Sequence, residues 1–192
     1  MKQILSHLNG LDQMRKYVYV PYEHGYGGTP SEQAFLAAFL PRMKRLDEEN
    51  LRTFKALLDR WGWFDKTGWG KKADDEAWLL ADHADGDLAF QTRVLGLLDP
   101  LVKSGETDPS HFAYLFDRVA VNGRRLQRFG TQGYCIGPGK WAPRPIEDPE
   151  HVDARRKAVG LSPLAEYIAS FQNICREDET QRALQATGLP IK

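Results

Sequence analysis

The chain carries no excess of either charge. Lysine plus arginine and aspartate plus glutamate number 26 each among its 192 residues. Nothing general therefore draws it to nucleic acid or to an anionic membrane surface. Long apolar runs are also missing, and none approaches the roughly 20 residues of a helical membrane span. Cysteine is scarce: Cys135 and Cys175 are the two. They lie far apart without metal-type spacing, so free thiols in a reducing cytosol are expected rather than a disulfide. The opening residues, MKQILSHLNG, lack the apolar core and small-residue cleavage site of a signal peptide. These absences together make a soluble cytoplasmic protein the expectation. The glycine-rich segment PYEHGYGGTP at 21–30 has no Gly-Lys-Ser/Thr ending, which excludes a phosphate-binding loop of that type.

What is present suits a folded domain. Hydrophobic residues make up 42% and charged residues 27%, enough apolar material to bury a core. The apolar spacing is helical almost throughout. The first twenty residues read as helix, with Gly10 as a break and Tyr17-Val18-Tyr19-Val20 carrying strand propensity. Thr29, Pro30 and Glu32 form a helix start with a capping box. Pro41 interrupts or kinks that helix, and a second covers about 42–60. The segment WGWFDKTGWG at 61–70 reads as a turn locked down by its aromatic rings.

Helices follow over 72–82, with Trp78, Leu79 and Ala81 buried, and over 88–103. Gly86 breaks the chain between them and Asp87 caps the second. Asp108-Pro109, Asp148-Pro149 and Ser162-Pro163 each open a further helix. Gly123 and Gly160 close two of these, and 177–186 is a last short helix. Residues 123–147 have no helical period and hold five glycines and three prolines, with room for a short hairpin. The expectation is an all-α fold: a single domain of about eight packed helices, with one long irregular loop at about 123–147.

The densest chemistry lies in AWLLADHADGDLAFQ at 77–91, where His83 sits beside Asp85 and Asp87. A histidine oriented by a carboxylate can move protons near neutral pH. Asp117 is a further candidate in this role. Arg118, Thr131 and Gln132 offer donors to an anionic or amide group, and Asp47 with Asn50 share one side of a helix. A metal held by His83, Asp85 and Asp87, completed by Asp117 or Glu147, is a weaker reading, because the spacing also suits a capped turn. Neither Cys135 nor Thr131 has a base tied to it that would make it a nucleophile. Against all of these stands a structural reading, in which the aspartates are helix caps and Asp117 belongs to a buried ion pair.

The motifs also carry a resemblance. Asp47 to Asn50 before Gly62-Trp63, the run Ala77 to Gln91, Tyr114-Leu115-Phe116-Asp117-Arg118-Val119, Phe129-Gly130-Thr131-Gln132 and Pro145-Ile146-Glu147-Asp148 appear in this order. Asp12-Gln13-Met14-Arg15 precedes them, its arginine one residue early. In this the chain resembles an uncharacterised bacterial family, a domain of unknown function, over about residues 8–170. The resemblance implies no activity.

The resulting expectation is an enzyme acting on a small molecule or peptide, a cofactor-free hydrolase or lyase. His83 would be the general acid or base, Asp85 or Asp87 its orienting partner, and Arg118 with Gln132 the substrate clamp. The alternative is a non-catalytic binding or interaction module, with the tryptophan-rich turn as its contact. Nucleic acid and membrane are not expected as partners, and the oligomeric state is not legible in the sequence.

Overall fold

The computed structural model describes residues 1–18, 30–171 and 175. The fold is predominantly helical, with eight α-helices and one two-stranded sheet among the described residues. The chain forms two compact units, Met1–Ala84 and Asp85–Lys192.

The first unit holds helices α1 (Lys2–Val18), α2 (Pro30–Trp61), α3 (Lys66–Trp69) and α4 (Lys71–Asp82). Helix α1 runs straight through Gly10. One glycine costs about 1 kcal/mol in a helix, and the buried stripe of Leu5, Leu8 and Asp12 spans it. The strand propensity at 17–20 is overridden as far as Val18, which is helical. Tyr19 to Thr29, including the proposed cap, lie outside the described residues, as does the side chain of Glu32.

Helix α2 corrects the interruption expected at Pro41, because one helix continues through it without ending. Pro41 and Ala37, whose carbonyl loses its amide partner there, both belong to an exposed stretch, so water can replace the missing bond. Met43, Asn50, Phe54 and Leu58 then form its buried stripe at helical spacing. In α4 the buried residues are Ala73, Asp74, Ala77, Leu80, Ala81 and Asp82. Trp78 and Leu79 are half-buried, a rotation of the helix from the predicted face.

Polar side chains fasten this unit. Asn50 Nδ2 donates to the carbonyl of Leu8 at 3.0 Å, tying α2 to α1. Ser6 donates to Glu76 at 2.8 Å, tying α1 to α4. The buried indole of Trp63 donates to Asp74 at 2.8 Å. Trp69 packs edge-on against both Phe64 and Trp61. The tryptophan-rich turn is thus mostly packed, although Trp61 stays 46% exposed.

The second unit holds α5 (Leu88–Ser104), α6 (Pro109–Asn122), β1 (Gly133–Gly137), β2 (Lys140–Pro143), a 3-10 turn (Pro149–His151), α7 (Val152–Ala158) and α8 (Leu164–Ser170). Asp87 caps α5 by accepting from the Phe90 amide at 2.9 Å, and Asp108 caps α6 through Ser110 at 2.9 Å. These two predicted caps are present. The other two are not. Asp148 has a left-handed backbone and makes no cap bond; its carboxylate meets His151 and Arg155 instead. At α8 the cap position is Pro163, and the Leu164 amide is taken by Asp153 at 2.7 Å, so Ser162 has no capping role.

The expected hairpin lies within the irregular region, β1 pairing antiparallel with β2. The free-thiol expectation fails, because Cys135 and Cys175 form a disulfide. Cys175 is buried, and its carbonyl accepts from Gly139 at 2.7 Å. Cys175 is thereby tied to the hairpin, a pairing that a 40-residue separation concealed. The proposed last helix at 177–186 lies outside the described residues.

Candidate functional site

His83 sits immediately after α4 as its C-terminal cap residue. Its Nδ1 lies 2.6 Å from Oδ2 of Asp12 on α1. Asp12 is buried, whereas the imidazole keeps 30% of its surface open to solvent. Asp12 also accepts from its neighbour Gln13 at 3.0 Å. Among the described residues, Nε2 of His83 has no hydrogen-bond partner. An ionised Asp12 requires a proton on Nδ1, and in the neutral ring this leaves a lone pair on Nε2. The pair therefore has the composition of an acid–base dyad: a fixed imidazole, an orienting carboxylate and one ring nitrogen available for a proton.

The carboxylate on His83 is thus neither Asp85 nor Asp87, the two expected partners. Asp85 accepts from Arg118 at 2.9 Å and from Asn122 at 3.2 Å. Asp87 is occupied as the α5 cap. Asn50 supports the dyad from behind: the Leu8 carbonyl it holds lies one helical turn before Asp12 on α1. Asp47, half-buried one turn earlier on α2, has interactions of its own.

In the second unit Asp117 and Thr131 meet in a closed arrangement. Asp117 is fully buried in the middle of α6. Its Oδ1 accepts from the amides of Arg128 at 2.7 Å and Phe129 at 3.1 Å. Its Oδ2 accepts from the Phe129 amide at 3.1 Å, and from the Thr131 amide and hydroxyl at 2.9 Å each. Gly130, at φ +70°, lets the chain reverse between these donors. Burial pushes the Asp117 carboxyl above the ordinary value, while the hydrogen bonds to the backbone and to Thr131 pull it the other way. With its oxygens engaged, Asp117 anchors the turn and has no lone pair directed at a substrate.

Sequence reasoning missed several organising residues. Gln127 is fully buried; its amide donates to the carbonyls of Gln132 and Arg144, and its Oε1 accepts from the Gln132 amide. The Gln132 backbone is therefore part of the frame, and its side chain reaches Thr131 Oγ1 at 3.3 Å. Arg156, also fully buried, donates to the carbonyls of Phe129 and Ser162 and stacks over Tyr167. Burial pulls this guanidinium below its ordinary value and pushes the Tyr167 phenol well up. In the sequence Asp12 stands out only as part of a motif. Its pairing with His83 spans 71 residues, and no local spacing signals such a contact.

No curated protein and no solved structure matches the chain. A family model described as a family of unknown function, DUF6624, matches residues 18–176. The chain belongs to this family of unknown function.

Proposed function

We propose that the protein is a cofactor-free acid–base enzyme, a hydrolase or lyase of a small molecule or peptide, with His83 as the proton-transferring group and Asp12 as its orienting partner. The observation that carries this reading is the 2.6 Å contact between His83 Nδ1 and buried Asp12, on an imidazole still open to solvent. In hydrolysis, Nε2 would take a proton from water as the water oxygen adds to a carbonyl, then return it to the leaving group. In elimination, Nε2 would take a carbon-bound proton while the leaving group departs with its electron pair. Either use needs one fixed tautomer, which Asp12 enforces.

The test has two parts. Nitrogen-15 NMR of the imidazole reads the tautomer directly: wild type should show the proton on Nδ1, and Asp12→Asn should disturb it. A panel of chromogenic esters, peptides and β-eliminating substrates then reads activity. His83→Gln should lose about 100-fold or more with little change in melting temperature. A variant that keeps full activity, or a neutral imidazole whose proton sits on Nε2 in the wild type, would overturn the proposal.

A second reading, a binding module, draws on Trp61. Its exposed ring carries Arg60 at 5.1 Å from the centroid, a pairing common at contact surfaces. Trp61→Ala would then abolish binding to a captured partner without touching His83.

A further inference from the structure

We infer that the second unit carries a binding site for a small oxyanion, a phosphate- or carboxylate-bearing molecule, in a cavity walled by Arg124, Arg125 and Arg144. The cavity measures about 520 Å³, within the range of small-ligand sites. Val121, Leu126 and Pro145 supply an apolar wall beside the three guanidinium groups, and no acidic residue lines it. Among the described residues none of the three arginines forms an ion pair. Asn122, also in the lining, donates to Asp85, a carboxylate that is itself held by Arg118. Three like charges around one cavity repel one another unless an anion joins them, and arginine forks match phosphate and carboxylate oxygens in pairs.

The backbone adds an independent argument. Helix α6 ends in a turn in which Arg125 N–H donates to Ala120 and Arg124 N–H to Val121. This pattern places the residue after the cap in the left-handed region, where glycine is strongly favoured. Two other helices of the same unit end identically and use glycine there. Gly105 closes α5 at φ +78°, and Gly160 closes α7 at φ +74°. At the end of α6 the position is Arg124, at φ +57°. The glycine stands one place earlier, at 123, where a Cβ would come within 3.0 Å of the Val119 carbonyl. A side chain kept where its absence would suit the turn better points to a use for that side chain.

The backbone that carries the arginines is also held in place. The turn fixes the backbone of Arg124 and Arg125, and that of Arg144 is held by bonds from its amide to Gln132 and from Gln127 to its carbonyl. The Arg144 guanidinium stacks 4.8 Å from the Tyr134 ring centroid. A guanidinium positioned in advance, as that of Arg144 is, loses little freedom on binding.

The full chain should be titrated with pyrophosphate and with citrate by calorimetry, at constant ionic strength. Binding of pyrophosphate alone identifies a phosphate site, and binding of citrate alone a carboxylate site. Arg124→Gly is the decisive variant. It should weaken binding by about tenfold or more while the unliganded melting temperature equals or exceeds that of wild type. Phenylglyoxal labelling of the wild type supplies a check that needs no variant: the bound anion should protect Arg124, Arg125 and Arg144. The inference fails if neither anion binds at millimolar concentration, or if Arg124→Gly binds as wild type does. It fails equally if a short single-stranded RNA binds there and neither small anion displaces it.

Discussion

At the scale of single residues, the clearest case is Asp117. It is a fully buried carboxylate surrounded only by donors: three amides and one hydroxyl. Asparagine has nearly the same shape but offers one oxygen, and turns an NH2 group toward N–H groups. Leaving donors buried and unpaired costs about 1–3 kcal/mol each, and loss of a charged acceptor costs more. Asp117→Asn should therefore destabilise the protein by about 2–4 kcal/mol in urea unfolding. Amide exchange at Arg128, Phe129 and Thr131 should accelerate more than elsewhere in the second unit. The same logic separates His83 from its neighbours. Asp85 and Asp87 share its motif, yet each is committed to a partner within the second unit.

At the scale of elements, Pro41 gives a sharp expectation. A proline inside a helix removes one hydrogen bond and crowds the preceding turn, at about 3 kcal/mol. Helix α2 carries that cost on an exposed stretch. Pro41→Ala should stabilise the protein by about 1–3 kcal/mol in denaturant unfolding; a loss of stability would mean that the ring makes contacts worth more than the bond. This helix also marks where the sequence stops being legible. Helix starts and stops that depend on three or four neighbouring residues were readable: the caps Asp87 and Asp108, the break at Gly86, the closure around Gly160, the hairpin inside 123–147. Features that depend on distant residues were not. Whether α2 survives Pro41 is decided by what lies around it. Asp148 and Ser162 look like caps, but His151, Arg155 and the rival carboxylate of Asp153 decide otherwise. His83 was identifiable as a candidate; its partner, on another helix, was not.

At the scale of the whole molecule, the disulfide sets the terms. Cys135 and Cys175 close a loop of about 40 residues, and a loop of that size is worth about 2–4 kcal/mol through restriction of the unfolded chain. Reduction with dithiothreitol should lower the unfolding free energy by that amount, and Cys175→Ser should match the reduced wild type. Equal stability of the oxidised and reduced forms would show that the pairing is incidental. Disulfides persist chiefly in oxidising compartments, which pulls against the expectation of a cytoplasmic location. No helix among the described residues is long and apolar enough to cross a membrane. Alkylation of freshly lysed cells, followed by intact-mass measurement, would show which state the protein occupies at work.

The turn from Arg128 to Thr131 is, in effect, an anion receptor whose guest is tethered to the helix beneath it. Cutting the tether leaves the receptor vacant. In Asp117→Ala, a free carboxylate of the right size can take the missing place, with its two oxygens reaching the same donors. Formate should then raise the melting temperature of that variant well beyond what chloride does at equal ionic strength, and leave the wild type unmoved. If the two salts act alike, the turn has collapsed without its anion, and the carboxylate shapes the loop rather than filling it.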